Sequence, residues 1–317
     1  MPTLSVVVIT YQRDALLAEC LKSLSQQTLP LHEVVVVDDG GSGSARAVVE
    51  QFGAQFHYVW QPNGGQPKAR NLGSRTATGD WIAYLDDDDL WLPERHALLS
   101  EVMACDKADL IVGDFIKFGE GWLANSTMFD EIADLSSQFW QGLPYRPGTN
   151  FSVIGQFPVT RLLPVHPFWP SAMAVHRSLL GKLNGWNENL RGIKSEDFEF
   201  AYRAIRQGKT AVIWTPTVHY RCHAGNDSSS SLLNAIGRMN IWKILLHEQE
   251  LLEDEVNSLK NAIEVSYHEI LWAAFLSKDY STVVNMAKNI SKDAMSCTEK
   301  LKVTASKLMI LKNKAFT

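Results

Sequence analysis

A chain of 317 residues, 45% of them hydrophobic, carries enough apolar surface for one large domain, or for one domain with an appendage. Its formal charge of −5 sets it apart from proteins that grip nucleic acid along a basic face. The four cysteines (Cys20, Cys105, Cys222 and Cys297) show no Cys-X-X-Cys spacing, so they read as reduced thiols of a cytosolic protein rather than a zinc site.

The first strand opens at about Leu4 with neither a charged region nor a long apolar run before it, so no signal peptide is expected. Ser5 to Ile9 is a β-branched run of the kind buried on both faces of a sheet. After Thr10-Tyr11-Gln12-Arg13, the residues Leu16, Leu17, Cys20, Leu21 and Leu24 recur at helical spacing. Val34 to Val37 reads as the second strand and ends in Asp38-Asp39-Gly40-Gly41-Ser42-Gly43. Ala45, Val48, Val49 and Phe52 then mark one face of another helix, and Phe56 to Trp60 reads as a third strand. The loop Gln61 to Gln66 leads into Pro67, a residue suited to the first turn of a helix that runs to about Ala77. Trp81 to Leu85 is the fourth strand, and it runs out into Asp86-Asp87-Asp88-Asp89. Strands alternating with helices in this way predict a parallel, doubly wound sheet, whose ligands bind beyond the carboxyl ends of the strands. The polar punctuation falls at those ends.

Four adjacent carboxylates are electrostatically costly. Two like charges about 4 Å apart repel by on the order of 4 kcal/mol at an effective dielectric near 20. Water, basic side chains, raised pKa values or a divalent cation can offset that cost, and hard oxygen ligands suit magnesium or manganese. If the strand pleat continued, Asp86 and Asp88 would face one way and Asp87 and Asp89 the other. The structural alternative is an acidic loop opening a helix at Pro93-Glu94. The first strand is followed by no Gly-X-Gly-X-X-Gly, and the chain has no Gly-Lys-Ser/Thr, so neither a dinucleotide fingerprint nor a Walker loop is present.

Ala108 to Phe118 reads as one or two strands, and residues 119–167 give no assignment. The segment Pro167 to Met173 leads into a strand ending near Val175. Ser195 reads as the N-cap of a helix whose apolar face is Phe198, Ala201, Tyr202 and Ile205 and which ends near Gly208. A short strand, Thr210 to Trp214, precedes Val218-His219-Tyr220-Arg221-Cys222-His223-Ala224-Gly225-Asn226, with His219 structural. Asp227 to Ser231 is a polar run suited to a lid or a boundary. Leu252, Val256, Leu259, Ile263, Tyr267, Ile270 and Ala274 then mark a long amphipathic helix, broken at Asp279-Tyr280. The final lysines, interleaved with leucines, suit either a last packed helix or contact with an anionic membrane. No apolar stretch approaches the ~20 residues of a membrane span.

The segments SVVVITYQR, VVVVDDGGSG, NGGQPKARNLG and WIAYLDDDDLW, in this order and spacing, resemble the nucleotide-sugar-binding half of a family 2 glycosyltransferase with the GT-A fold. Gln12 stands where that family usually has Asn, and Gly41-Ser42-Gly43-Ser44 where it has a Ser-Thr-Asp turn. Neither change removes a carboxylate. The resemblance implies an α/β fold, a Rossmann-like doubly wound, mostly parallel sheet with a C-terminal helical extension. Residues 1–231 would be the transferase domain, with a nucleotide-sugar half at 1–104 and an acceptor half at 105–231, and residues 232–317 the helical region.

The same resemblance implies roles. Thr10 and Tyr11 would flank the base, and Asp39 would accept the imide N–H of a uracil. Arg13, Gly65 and Asp87 would complete the donor site, with Arg70 near the phosphates or sugar and Asp86 facing the ribose and sugar hydroxyls. Asp88, joined by His223, would hold Mn2+ or Mg2+. Asp197 aligns with the general base and Glu196 with the group that orients the acceptor, for which Trp169 offers an aromatic platform. The implied activity is inverting transfer from a nucleotide-sugar, a UDP-sugar above all, to a glycan or lipid-linked glycan. The alternative is a catalytically inactive sugar-nucleotide or partner-binding module of the same fold. The implied location is cytoplasmic, or peripheral at the inner face of the membrane through the C-terminal region. No nucleic-acid partner is expected, and the oligomeric state stays open.

Overall fold

Valine-rich runs build the centre of the sheet. In β1 (Leu4–Thr10), β2 (Glu33–Asp39) and β4 (Trp81–Asp86) almost every side chain is buried, as strands covered on both faces require. With β3 (Phe56–Gln61) they form the parallel array β3-β2-β1-β4. This computed structural model describes residues 1–119, 127–144, 149–223, 230–248 and 250–315. The chain divides into two units, Met1–Gly192 with Glu196–Ala224, and Ile193–Ser195 with Gly225–Thr317.

In the first unit, α1 (Asp14–Ser25) buries Leu17, Cys20, Leu21 and Leu24, the stripe its spacing predicts. The helix expected to reach Phe52 is shorter: α2 (Ala45–Val49) tightens into a 3-10 turn at Glu50–Phe52. α3 (Gln66–Thr76) lies close on the sheet because Gly73 has no side chain, and a Cβ there would overlap Val7 Cγ1. The parallel register sets Thr10 beside Asp38, Ile9 beside Asp86 and Asp39 beside Gln61, so the polar strand ends line one edge.

Beyond β4 come β5 (Leu90–Trp91), α4 (Arg95–Ala104), β6 (Leu110–Gly119), α5 (Met128–Leu135), β7 (Phe151–Gly155), β8 (Met173–His176), α6 (Arg177–Lys182), α7 (Glu196–Gln207) and β9 (Thr210–Cys222). Among the described residues the sheet order is β3-β2-β1-β4-β8-β6-β9-β5, with β7 also on β9. β8 runs antiparallel between β4 and β6, while β6 and β9 are parallel. The stretch that gave no assignment thus holds α5 and β7. α5 starts with a capping box between Thr127 and Asp130. The short strand expected at Thr210–Trp214 is only the first limb of β9. Its register with β6 passes from Gly113↔Ile213 to Phe115↔Val218, so Trp214 to Thr217 bulge out. Pro216, which has no N–H to give a ladder, sits in that bulge.

Asp114 occupies the matching interruption in β6. It is 2% exposed, and its Oδ1 accepts the N–H of Phe115 at 2.8 Å and of Phe129, in the first turn of α5, at 3.0 Å. Burial pushes its carboxyl up to about 7, against the pull of those hydrogen bonds.

The second unit contains α8 (Ser231–Leu245), α9 (Glu253–Leu276), α10 (Tyr280–Ala287) and α11 (Cys297–Ala315). Leu271, Ala274, Val283, Ile290 and Val303 form a core with Tyr267, Phe275 and Met286 against it. The break at Asp279-Tyr280 is a cap, with Asp279 Oδ1 accepting the Thr282 N–H at 3.1 Å. Among the described residues no helix is long and apolar enough to cross a membrane. Asp227 to Ser229, read as a lid or boundary, and Gly225-Asn226 lie outside the described residues.

The Asp114 geometry makes a stability prediction. A buried acid whose folded pKa lies above its unfolded value of 3.8 destabilises the fold progressively as pH rises from about 4 to about 7. Asp114→Asn keeps an oxygen for both N–H groups and removes the charge. Its advantage over wild type in urea denaturation is expected to grow by about 2 kcal/mol between pH 5 and pH 8. Parallel curves across that range would show that the carboxylate is compensated.

Candidate active site

Arg70 on α3 is 1% exposed, and three acceptors surround it. Its Nη2 donates to Asp86 Oδ1 and to Gln66 Oε1, both at 3.0 Å, and its Nη1 donates to Glu196 Oε1 at 3.1 Å. The guanidinium lies 4.6 Å over the Trp186 ring, whose other face stacks on Phe200 of α7 at 3.9 Å and 7°. The neighbouring Asn71 grips the backbone of Trp186 from both sides, donating to its carbonyl and accepting its N–H at 2.8 Å each. Gly185 makes that approach feasible: its φ is 71°, and a Cβ would overlap Asn71 Oδ1. Burial by itself would lower the Arg70 pKa, but Asp86 and Glu196 reverse that and raise it. Glu196 is pushed up to about 7 by burial and by Asp197, with Arg70 pulling the other way.

The acidic run does not alternate as a pleated strand would. β4 stops at Asp86, Asp87 and Asp88 form a turn, and the Asp89 N–H returns to Asp86 O at 3.1 Å. Asp87 and Asp88 therefore reach the same cation, Arg13 Nη1, at 3.3 and 2.8 Å. Thr10 Oγ1 donates to Asp87 Oδ2 at 2.6 Å, yet burial still pushes Asp87 up to about 7. Asp88 is raised by burial and by Asp86, and its Oδ2 stands 3.2 Å from His223 Nε2. Asp89 is driven well above the usual carboxylate range by burial, then by Asp88 and Asp86, and it accepts the Arg221 N–H at 2.9 Å. The Arg221 side chain donates to the Asp88 carbonyl at 2.9 Å and to Glu19 at 2.6 Å, so the end of β9 is fastened to the acidic turn.

Asp39 has internal donors. Its Oδ1 accepts Gln61 Nε2 at 2.6 Å and the Gly64 N–H at 2.8 Å, and its Oδ2 accepts the Gly65 N–H at 2.9 Å. Of the roughly four lone-pair sites of a carboxylate, about one is left for a base edge. Tyr11 projects from the end of β1, 47% exposed.

Asp197 sits in the first turn of α7, partly buried, and burial raises its pKa. Its Oδ1 accepts the Phe198 N–H at 2.8 Å, and its Oδ2 lies 3.9 Å from His166 Nε2. Ser195, expected to cap this helix, has φ 71° rather than the extended backbone of a capping residue. Trp169 is partly exposed, and its ring packs against Phe115 and Tyr220. Its Nε1 donates to His166 O at 3.1 Å.

The structure thus ties Thr10, Arg13, Asp87, Asp88 and His223 into one set of contacts and Arg70, Asp86 and Glu196 into another, the two meeting at the consecutive Asp86 and Asp87, with Asp197 next to Glu196 and with Asp39 at the end of β2 bonded to Gly65. Sequence reasoning missed Trp186, Asn71, Arg221 and His166. Asn71 and Arg221 lay inside segments already quoted, and nothing in the pattern marked His166. Among the described residues no three His, Cys, Asp or Glu side chains gather as a metal-holding set. Asp88 does present a hard carboxylate oxygen, with the softer imidazole nitrogen of His223 3.2 Å from it. Magnesium in phosphate-handling sites takes only one or two carboxylates, with water and phosphate oxygens completing its shell, so the Asp88 carboxylate fits such an ion.

Residues 5–157 match the family described as Glycosyl transferase family 2. An uncharacterized glycosyltransferase of Haemophilus influenzae is 42% identical over 102 residues, 32% of this chain and 34% of that protein. The putative glycosyltransferase EpsH of Bacillus subtilis is 28% identical over 229 residues, 70% of this chain and 61% of EpsH. Across the first four curated relatives the matched stretches span between 34% and 63% of the relative's own length. The crystal structure of S. aureus TarS 1-349 with UDP-GlcNAc superposes with a TM-score of 0.65 at 17% identity, over 92% of this chain and 82% of that one. The mannosyltransferase PcManGT from Pyrobaculum calidifontis, with GDP-Man and Mn2+, gives 0.59 at 17% identity, over 98% and 85%. The fold is GT-A, with helices at the C-terminal end.

Removing the buried cation while leaving its carboxylates is expected to cost about 3–5 kcal/mol. Arg70→Met should therefore lower the unfolding free energy from urea denaturation at neutral pH by that much, and Arg70→Met with Glu196→Gln should recover a substantial part. A double variant no more stable than Arg70→Met would show that lost packing, rather than an unpaired charge, carries the effect.

Proposed function

We propose a reaction for this chain, which belongs to glycosyltransferase family 2 through residues 5–157: transfer of a sugar from a nucleotide-sugar, with a UDP-sugar as first candidate, to a hydroxyl of a glycan or lipid-linked glycan, with inversion. The observation that carries this reading is the Asp86–Arg70–Glu196 bridge, which joins the acidic turn to the helix bearing Asp197. The donors bound in neighbouring structures, UDP-GlcNAc in TarS and GDP-Man with Mn2+ in PcManGT, support nucleotide-sugar use.

In this reading Thr10, Tyr11, Arg13, Asp39, Gly65, Asp86 and Asp87 bind the donor, and the exposed Tyr11 ring is free to stack on a base. Asp88 and His223 would hold a divalent cation, which supplies charge neutralisation to the leaving diphosphate. The acceptor oxygen attacks the anomeric carbon as the bond to the diphosphate oxygen breaks. The electron pair leaves with the nucleoside diphosphate, and the acceptor's proton passes to Asp197. An ordinary aspartate is a weak base, and burial raises this one toward the working range. Glu196, tied to Arg70, orients the acceptor, and Trp169 offers the sugar an aromatic face.

We assign residues 1–231 to the transferase domain and 232–317 to a helical extension. On α11, Leu301, Leu308 and Leu311 are 70%, 63% and 64% exposed and lie among the exposed Lys300, Lys307 and Lys312. That mixture supports peripheral contact with an anionic membrane surface, the alternative to a last packed helix.

A thermal-shift screen of UDP-glucose, UDP-galactose and UDP-N-acetylglucosamine, with and without manganese, tests the donor assignment. Asp88→Ala is expected to lose the metal-dependent part of the shift. Asp197→Ala should keep donor binding while sugar transfer, or donor hydrolysis by water, falls by about 100-fold or more. A wild-type protein that binds these donors but never releases UDP would instead be an inactive sugar-nucleotide-binding module.

A further inference from the structure

Arg191 is exposed, and the reaction just described gives it nothing to do. Among the described residues its guanidinium makes one hydrogen bond, from Nη2 to Asn63 Oδ1 at 3.1 Å, and no ion pair. A guanidinium carries five N–H donors, so most of these stay open to a ligand.

The arginine is nevertheless held in place. It follows the 3-10 turn Glu188–Leu190, in which Leu190 is buried, and its own backbone N–H returns to the Glu188 carbonyl. Glu188 Oε1 accepts Asn71 Nδ2 at 2.9 Å, so the turn is fastened to α3. From there the arginine stem runs over the start of that helix. Its Cγ stands 3.0 Å from the point a Cβ on Gly65 would occupy.

The loop beneath the stem is the one that holds Asp39. Asn63, whose Oδ1 accepts the Arg191 guanidinium, donates from Nδ2 to the Asp39 carbonyl at 2.9 Å. The two carboxylate oxygens of Asp39 are unequally used. Oδ1 accepts both Gln61 Nε2 and the Gly64 N–H, whereas Oδ2 accepts only the Gly65 N–H. One acceptor site is therefore left on Oδ2, and the glycine that shares this oxygen is the one the arginine stem covers.

We propose that Arg191 is a base-reading residue, donating to a carbonyl oxygen of the pyrimidine whose imide N–H is accepted by Asp39 Oδ2. Uracil sets that N–H between two carbonyls, so one carboxylate oxygen and one guanidinium match it. Guanine brings two adjacent N–H groups, for which Asp39 has a single site. Cytosine and adenine turn a lone pair toward the carboxylate. A site that pairs with specific donors and acceptors rejects bases that leave them unpaired. This rests on the UDP-sugar reading and adds to it a residue, from the loop before α7, that selects the base.

The test is calorimetric titration of the full chain, with manganese, using UDP, 2-thio-UDP and 4-thio-UDP. Each thio analogue keeps the imide N–H and replaces one carbonyl oxygen by sulfur, a weaker acceptor. Arg191→Ala is expected to weaken UDP binding about 10-fold. One of the two analogues should bind wild type more weakly by a similar factor, and to that analogue Arg191→Ala should add less than about twofold. Arg191→Gln, which keeps an N–H donor without the charge, should recover part of the UDP loss. If Arg191→Ala weakens all three ligands equally, the guanidinium meets the phosphates or merely supports the loop, and the proposal is overturned. Wild type that binds GDP but not UDP would sink the UDP-sugar reading itself. Wild type that binds UDP and is matched by Arg191→Ala would remove only Arg191.

Discussion

A guanidinium with 1% of its surface exposed has to be matched by anions, and Arg70 is matched by two that lie far apart in the chain. Asp86 closes the fourth strand, and Glu196, 126 residues beyond Arg70, opens α7. Buried ion pairs of this kind contribute little net stability, because desolvation consumes most of the Coulombic gain. Their effect is on register: with one partner misplaced, the other is left buried and charged. The bridge thus fixes where the first turn of α7 stands relative to the acidic turn. Trp186 reinforces it, since one face lies under the Arg70 guanidinium and the other on Phe200.

The acidic turn uses three of the means that electrostatics allows. A cation answers part of the charge: Arg13 reaches Asp87 and Asp88, and the His223 imidazole approaches the same Asp88 oxygen. Protonation answers another part, since burial pushes the Asp87 carboxyl up to about 7 and lifts that of Asp89 well above the usual carboxylate range. Hydrogen bonds from Thr10 and the Arg221 backbone answer the rest. In the proposed reaction, the groups that make the turn tolerable are the ones assigned to the donor. A cation on Asp88 would compete with Arg13 for one oxygen, leaving the guanidinium to follow the phosphate.

The sheet was legible because β1, β2 and β4 bury nearly every residue, and such strands announce themselves as unbroken apolar runs. The site was legible where strand ends carried carboxylates. It was less so where polar groups were set by long-range contact. α5 and β7 lay in a stretch without clean periodicity, and β9 looked like two pieces because Pro216 falls in a bulge that only β6 reveals. The condition on which the four carboxylates would alternate, a strand continuing through Asp89, is not met, because the chain turns as soon as the strand ends. His166 carries no local signal, since its partner is 31 residues further on and the contact depends on the path of the intervening loop.

α3 shows why pattern alone could not have gone further. Its inward face buries Arg70, Asn71, Gly73 and Ser74, so by apolar periodicity it hardly qualifies as a packed helix. Each of those residues is spoken for: Ser74 shares a hydrogen bond with Tyr84, Asn71 holds Trp186, and Gly73 lets the helix come down on Val7. At its start, Asp39 accepts the Gly64 and Gly65 N–H groups and shapes the turn that admits Pro67. A helix that gives up apolar burial on its inner face must be retained for its polar contacts. Here those contacts join β2 and β4 to the Trp186 loop and α7. The same side chains that look wrong for a core helix are the ones that set the distance between the carboxyl ends of the strands and Asp197.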